Sequence, residues 1–148
     1  AAADIELPDT KGIKKNLYSV KAPYTLVAIW DPTCSHCKEV LPKLDSLYQT
    51  KWKGMGMKLF AMAKETEGDQ KGWLSFIADH KLQDWTHVYY SKAADKARID
   101  AGIPGYSQLF DVQSFPTLYL LDADKRIIAK KVTEGQIDEI LEHRKKGK

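Results

Sequence analysis

Cysteine is scarce in this chain: two of its 148 residues. That rules out a fold stapled by several disulfides. With 43% hydrophobic residues none is needed, because a domain of this length buries roughly 68–70% of the surface its unfolded form exposes. No apolar run approaches the roughly 20 residues of a bilayer span, and no charged segment followed by an apolar one opens the chain. Charge of one sign is lacking as well. Twenty-three Lys and Arg stand against 20 Asp and Glu, a net +3, spread along the chain, so no nucleic-acid surface is expected. The basic run His143-Arg144-Lys145-Lys146-Gly147-Lys148 reads as a solvated helix end, where cations suit the macrodipole. Internal repeats and low-complexity segments are absent too. The start Ala1-Ala2-Ala3-Asp4 leaves room for a signal peptide, lipid anchor or upstream domain removed by processing, so a membrane tether would lie outside the present chain.

What is present is organised around the two cysteines. They sit three residues apart in Trp30-Asp31-Pro32-Thr33-Cys34-Ser35-His36-Cys37, where a strand-like run meets a helix-like one. The first turn of a helix has unpaired N–H groups and the positive end of the dipole, both of which favour a thiolate. A second thiol one turn on can close a disulfide, so the pair can carry two electrons through a mixed disulfide. Tyr24-Thr25-Leu26-Val27-Ala28-Ile29-Trp30 predicts a strand buried on both faces. From Ser35 to about Lys53, Val40, Leu41, Leu44, Leu47 and Tyr48 recur at helical spacing, with Pro42 expected to kink the helix.

Lys58 to Ala63 predicts a second strand, and Asp69 a cap for a helix carrying Trp73, Phe76 and Ile77 on one face. A right-handed crossover then makes the first two strands parallel neighbours. Thr86 to Tyr90 is a further short strand. Ser91 to Gln108 is the least legible stretch, with Ala93 to Asp100 a helix candidate punctuated by Gly102, Pro104 and Gly105. Phe115 to Leu121 and Ile127 to Val132 flank the turn Asp122-Ala123-Asp124-Lys125 as an antiparallel hairpin. A last helix starts near Thr133 or Glu134 and buries Ile137, Ile140 and Leu141. His80, His87 and His143 read as ordinary surface or partly buried residues.

The strand feeding Cys-x-x-Cys at a helix start, Pro42 five residues after the second cysteine, and the late Phe115-Pro116-Thr117 strand together resemble the thioredoxin superfamily. Leu7-Pro8-Asp9-Thr10-Lys11-Gly12, the Tyr24 to Leu44 block and Leu109 to Asp122 resemble its TlpA/ResA-like branch of bacterial cell-envelope thiol-disulfide oxidoreductases. The resemblance implies an α/β thioredoxin fold, a central mixed sheet flanked by helices, in a single domain over residues 1–148, whole or excised from a longer envelope protein. It implies location in the periplasm or cell envelope, no cofactor and no resident metal. The implied partners are protein thiol or disulfide substrates and a redox partner that recycles the pair, with the domain itself a monomer.

By the same resemblance Cys34 is the exposed attacking thiol, Cys37 the buried resolving thiol, and Pro116 the proline after a cis bond, with Phe115 and Pro116 contacting substrate. Two departures stand out. The acids that many relatives carry six residues before the first cysteine or three after the second, where they shuttle the resolving thiol's proton, are replaced by Ala28 and Val40; the nearest acids are Asp31 and Glu39, either of which could substitute, though each reads first as a solvated charge. The usual tryptophan before the first cysteine is Thr33, which opens the rim to a different contact surface; Trp30 reads as core, with a substrate platform as its alternative.

His36 can stabilise the Cys34 thiolate and so make the disulfide more oxidising, or merely fill the turn; the direction of electron flow stays open. Cys34, His36 and Cys37 could alternatively bind copper(I) as a thiol carrier, or a non-enzymatic domain could use the pair structurally. A peroxidase reading fails on the threonine, because Asp31 stands three residues before Cys34 where peroxiredoxins place it.

Overall fold

The computed structural model describes residues 1–68 and 70–147. Its elements run β1 (Glu6–Pro8), β2 (Lys14–Asn16), β3 (Tyr24–Trp30), α1 (Ser35–Thr50), β4 (Met57–Lys64), α2 (Lys71–Asp79), β5 (Thr86–Tyr90), α3 (Lys92–Asp100), α4 (Tyr106–Leu109), β6 (Thr117–Leu121), β7 (Ile127–Lys130) and α5 (Glu134–Lys146). β1 and β2 form a small antiparallel hairpin around the Asp9–Gly12 turn.

The main sheet has the order β5-β4-β3-β6-β7. β3 is central, parallel to β4 and antiparallel to β6. All seven of its residues are buried, as a continuous apolar run requires of a strand covered on both faces. Side-chain alternation divides them between two layers. Leu26, Ala28 and Trp30 pack with Val40, Leu41 and Leu44 of α1, Trp73 and Phe76 of α2, and Ile137 and Leu141 of α5. Val27 and Ile29 face the opposite layer, with Ile5, Leu7, Leu17, Tyr106 and Phe110.

β3 therefore delivers its last residue, Trp30, to the end of the sheet from which α1 departs, which fixes where the cysteines lie. α1 continues through Pro42 for about two further turns, because packing of Leu41, Leu44 and Tyr48 outweighs one lost backbone hydrogen bond. A short 3-10 turn, Trp52–Met55, leads to Gly56, whose φ of 85° belongs to the left-handed region. A Cβ there would also meet the Pro23 ring at 2.8 Å, so only glycine fits this link into β4.

Several expectations change. The N-cap of α2 is Gln70, without a side-chain cap bond, and the cap expected from Asp69 lies outside the described residues, as does Lys148 of the basic run. The illegible stretch contains α3, capped by Ser91 accepting from the Ala94 N–H and closed by Gly102 at φ 75°, then α4. His87 is 4% exposed rather than a surface residue. Its Nε2–H donates to the Leu82 carbonyl at 2.7 Å, since a carbonyl can only accept, and Nδ1 has no partner. Burial pushes its pKa down to about 4, against the lesser opposing effect of that hydrogen bond.

Candidate active site

The turn Asp31–Thr33 converts the end of β3 into the start of α1. Asp31 Oδ1 accepts from both the Thr33 N–H and the Thr33 hydroxyl, each at 2.8 Å, an Asx-type turn. The Cys34 N–H donates to the Asp31 carbonyl at 2.9 Å. Cys34 thereby becomes the N-cap of α1, and its carbonyl accepts the first helical bond, from Lys38 at 3.2 Å. The thiol has no capping bond of its own. It stands beside the N–H groups of Ser35, His36 and Cys37, which the geometry of a helix start leaves without intrahelical partners.

Both cysteines are free thiols. Cys34 is half-buried rather than exposed, and its thiol points to the Phe115 carbonyl at 3.8 Å. Cys37 is fully buried, within the apolar layer formed by Ala28, Val40 and Leu41. Its thiol is pushed up to about 12. Burial is the main cause; a hydrogen bond from the Asp31 backbone opposes it, while a hydrogen bond with Cys34 and the charges of Cys34 and Asp31 add to it. A thiol so placed is protonated at neutral pH.

The Phe115–Pro116 peptide bond is cis. Both residues are half-buried, and Phe115 touches both core layers. Behind Pro116 lies a small cleft of about 190 Å³ bordered by Gln113, Ser114, Thr117, Lys131 and Thr133. A cavity of about 560 Å³ between Asp9, Lys15, Trp85 and His87 contains none of the residues around the cysteines.

The structure thus brings Thr33, Cys34, Cys37, Phe115 and Pro116 together. His36 points outward: its Nδ1 is 3.7 Å from Glu39, and both side chains are about 70% exposed. Trp30 is fully buried against Phe76, ring centroids 5.3 Å apart. It offers no surface to a substrate, so the platform alternative is corrected to core packing. Asp31, read as a solvated charge, is 8% exposed, and its Oδ2 accepts from the Thr66 hydroxyl at 2.8 Å. Thr66 had no signal of its own; the Asp31-Pro32-Thr33 spacing, suited to an Asx turn, was the available hint for Asp31. Glu39 remains on the surface as expected. Among the described residues, no group of three or more His, Cys, Asp and Glu side chains is placed to hold a metal ion.

Comparison with known proteins places this geometry. Residues 23–127 match the family model described as thioredoxin-like. The thiol-disulfide oxidoreductase ResA of Bacillus cereus is 28% identical over 142 residues, covering 95% of this chain and 72% of ResA. The crystal structure of a domain of a possible thiol-disulfide isomerase from Cytophaga hutchinsonii superposes with a TM-score of 0.80 at 29% identity, covering 99% of this chain and 91% of the other. A thiol:disulfide interchange protein from a Bacteroides species superposes with a TM-score of 0.76 at 25% identity, covering 96% of this chain and 86% of the other.

Proposed function

The chain belongs to the thioredoxin-like family, and from that premise we propose that it is a thiol-disulfide oxidoreductase of the TlpA/ResA type that exchanges disulfides with protein substrates through Cys34 and Cys37. The observation that carries this reading is the placement of Cys34 at the helix N-cap, against the Phe115 carbonyl, with Cys37 buried one turn behind it. The names of the ResA relative and of the Cytophaga and Bacteroides neighbours support it.

In the reducing direction the Cys34 thiolate attacks one sulfur of a substrate disulfide. The substrate S–S bond breaks, a Cys34–substrate disulfide forms, and the first substrate sulfur leaves as a thiolate that takes up a proton. Cys37, once deprotonated, attacks Cys34 Sγ; the Cys34–Cys37 bond forms and the second substrate thiol is released. Two electrons and two protons have passed to the substrate, and the oxidising direction is the reverse. A separate dithiol or disulfide partner returns the pair to its starting state. Phe115, Pro116 and Thr33 border Cys34 and meet the substrate. The half-buried thiol reaches an open surface, which suits a protein segment better than a small molecule.

Residues 1–148 act as one thioredoxin-like domain working outside the cytoplasm, in the periplasm or cell envelope, as a monomer. No helix among the described residues is long and apolar enough to cross a membrane. The test is reduction of insulin disulfides by the dithiol form, followed by turbidity. Precipitation that is lost in Cys34→Ser is expected; a wild-type protein no faster than Cys34→Ser would overturn the assignment.

A further inference from the structure

Two threonine hydroxyls from distant parts of the chain meet at the rim of the site: Thr33, directly before Cys34, and Thr66, in the loop after β4. Their oxygens are 3.3 Å apart. Thr33 is exposed and Thr66 half-buried. Both hydroxyls also reach the Asp31 carboxylate, Thr33 on Oδ1 and Thr66 on Oδ2, each at 2.8 Å. Asp31 is itself 8% exposed, so the hydroxyls link a buried charge to the surface beside the attacking thiol.

Proton counting fixes what this rim shows outward. Each hydroxyl has one O–H to donate and two lone pairs. Three oxygen–oxygen contacts compete for two protons, and the two at 2.8 Å to an anion are stronger than the one at 3.3 Å between hydroxyls. Both protons therefore point at Asp31, and the two hydroxyl oxygens face each other with lone pairs. The third donor to the carboxylate, the Thr33 N–H, is neutral like the other two. The negative charge of Asp31 is thus shared among neutral donors and not cancelled by them, in a buried setting where a charge is costly. A cationic donor answers both features at once, because it can bridge the facing oxygens and compensate the carboxylate behind them. Charged neighbours along the chain are turned to other partners. The Lys64 ammonium lies over the Tyr90 ring, the Glu65 carboxylate accepts from the Lys92 N–H, and His36 faces Glu39.

We propose that Thr33 and Thr66, backed by Asp31, form a subsite that takes a lysine or arginine side chain of the substrate close to its reacting cysteine; this rests on the thiol-disulfide reading above. The ammonium or guanidinium donates to the two hydroxyl oxygens while Cys34 attacks the neighbouring sulfur. The contact selects cationic segments and leaves the exchange chemistry to the cysteines. Both side chains carry several N–H donors and no acceptor, which matches a rim that offers acceptors only.

The test uses the reduced intact protein and three acetylated pentapeptide amides. Each has a central cysteine carrying a 2-thiopyridyl group and flanked on both sides by lysine, glutamine or glutamate. Cys34 attacks the peptide sulfur, the S–S bond breaks, a Cys34–peptide disulfide forms, and the better leaving group departs as pyridine-2-thione, followed by absorbance. The readout is the ratio of second-order rate constants between peptides, in which a change in the general reactivity of Cys34 cancels. For the wild type at low salt the lysine peptide is expected to react about tenfold faster than the glutamine peptide, and the glutamate peptide slower than both. Thr66→Val keeps a similar shape and removes the acceptor oxygen; it should bring the lysine-to-glutamine ratio within about twofold, the remainder left by screened charge. Thr66→Ser, which keeps the oxygen, should restore the preference, and Asp31→Asn, which removes the charge, should lose it. A wild-type ratio already as small as that of Thr66→Val overturns the proposal. A high ratio retained in both Thr66→Val and Asp31→Asn also overturns it, since the preference would then belong to the Cys34 thiolate alone. Equal rates for the three peptides that still depend on Cys34 leave the oxidoreductase reading intact, whereas release no faster than from Cys34→Ser with every peptide would sink that reading instead.

Discussion

At the scale of single residues, the two thiols are made different by depth. Burial holds the Cys37 proton through neutral pH, while Cys34 stands at the helix start beside unpaired N–H groups. His36 stands outside this asymmetry, its exposed ring facing Glu39 rather than the sulfur. Exposed charges are strongly screened. His36→Ala is therefore expected to lower the reduction potential by only about 30 mV, against a span of roughly 150 mV within this motif class. Equilibration with glutathione measures it, and a drop approaching that whole span would contradict the screened placement. The cysteine pair, Thr33, Phe115 and Pro116 were legible because each lies in a local motif. Asp31 was not. An acid one residue past a strand is usually solvated, and its burial depends on Thr66, 35 positions away, a contact that local pattern cannot show.

At the scale of elements, the strands and long helices follow from periodicity, because each has a face committed to one of the two layers. α3 does not bury a single residue completely, so it has no such periodicity, and only its Ser91 cap and closing Gly102 mark it. The start of α5 was left between two residues, although Thr133-x-x-Gln136 is a capping-box pattern and both reciprocal bonds form. Thr133→Ala is expected to cost about 1 kcal/mol in urea unfolding, and no measurable change would argue against a formed box. α5 is tied to the end of α1 through Asp138, which accepts from the fully buried Trp52 indole at 3.0 Å and from Lys51 at 3.1 Å. Asp138→Ala strands the indole N–H and is expected to destabilise by about 1–3 kcal/mol. The same measurement on Asp138→Asn, which keeps an acceptor, should recover much of the loss.

At the scale of the whole molecule, the sheet order sets β3 at the centre and so places the cysteines at the C-terminal end of that strand, beside the start of β6. The layer that holds Cys37 also carries a consequence for pH, through His87 stacked on Trp85. His87 is held neutral, with a pKa of about 4 against an ordinary value of 6.5. Below about 6.5 the unfolded chain takes up a proton that the folded one refuses, so this contribution is fully present above that pH and declines as pH falls toward 4. The full loss is on the order of 3 kcal/mol. Urea midpoints between pH 7 and 4.5 should fall more steeply for the wild type than for His87→Gln; parallel slopes would contradict the buried neutral imidazole. In the proposed exchange the two thiols divide attack and resolution between them, and a trapping experiment reads that division. Cys37→Ser exposed to an envelope protein extract, then resolved on non-reducing gels and mapped by mass spectrometry, should accumulate mixed disulfides on Cys34 that Cys34→Ser does not form. Equal trapping by the two variants, or none by either, would contradict the assignment of Cys34 as attacking and Cys37 as resolving thiol.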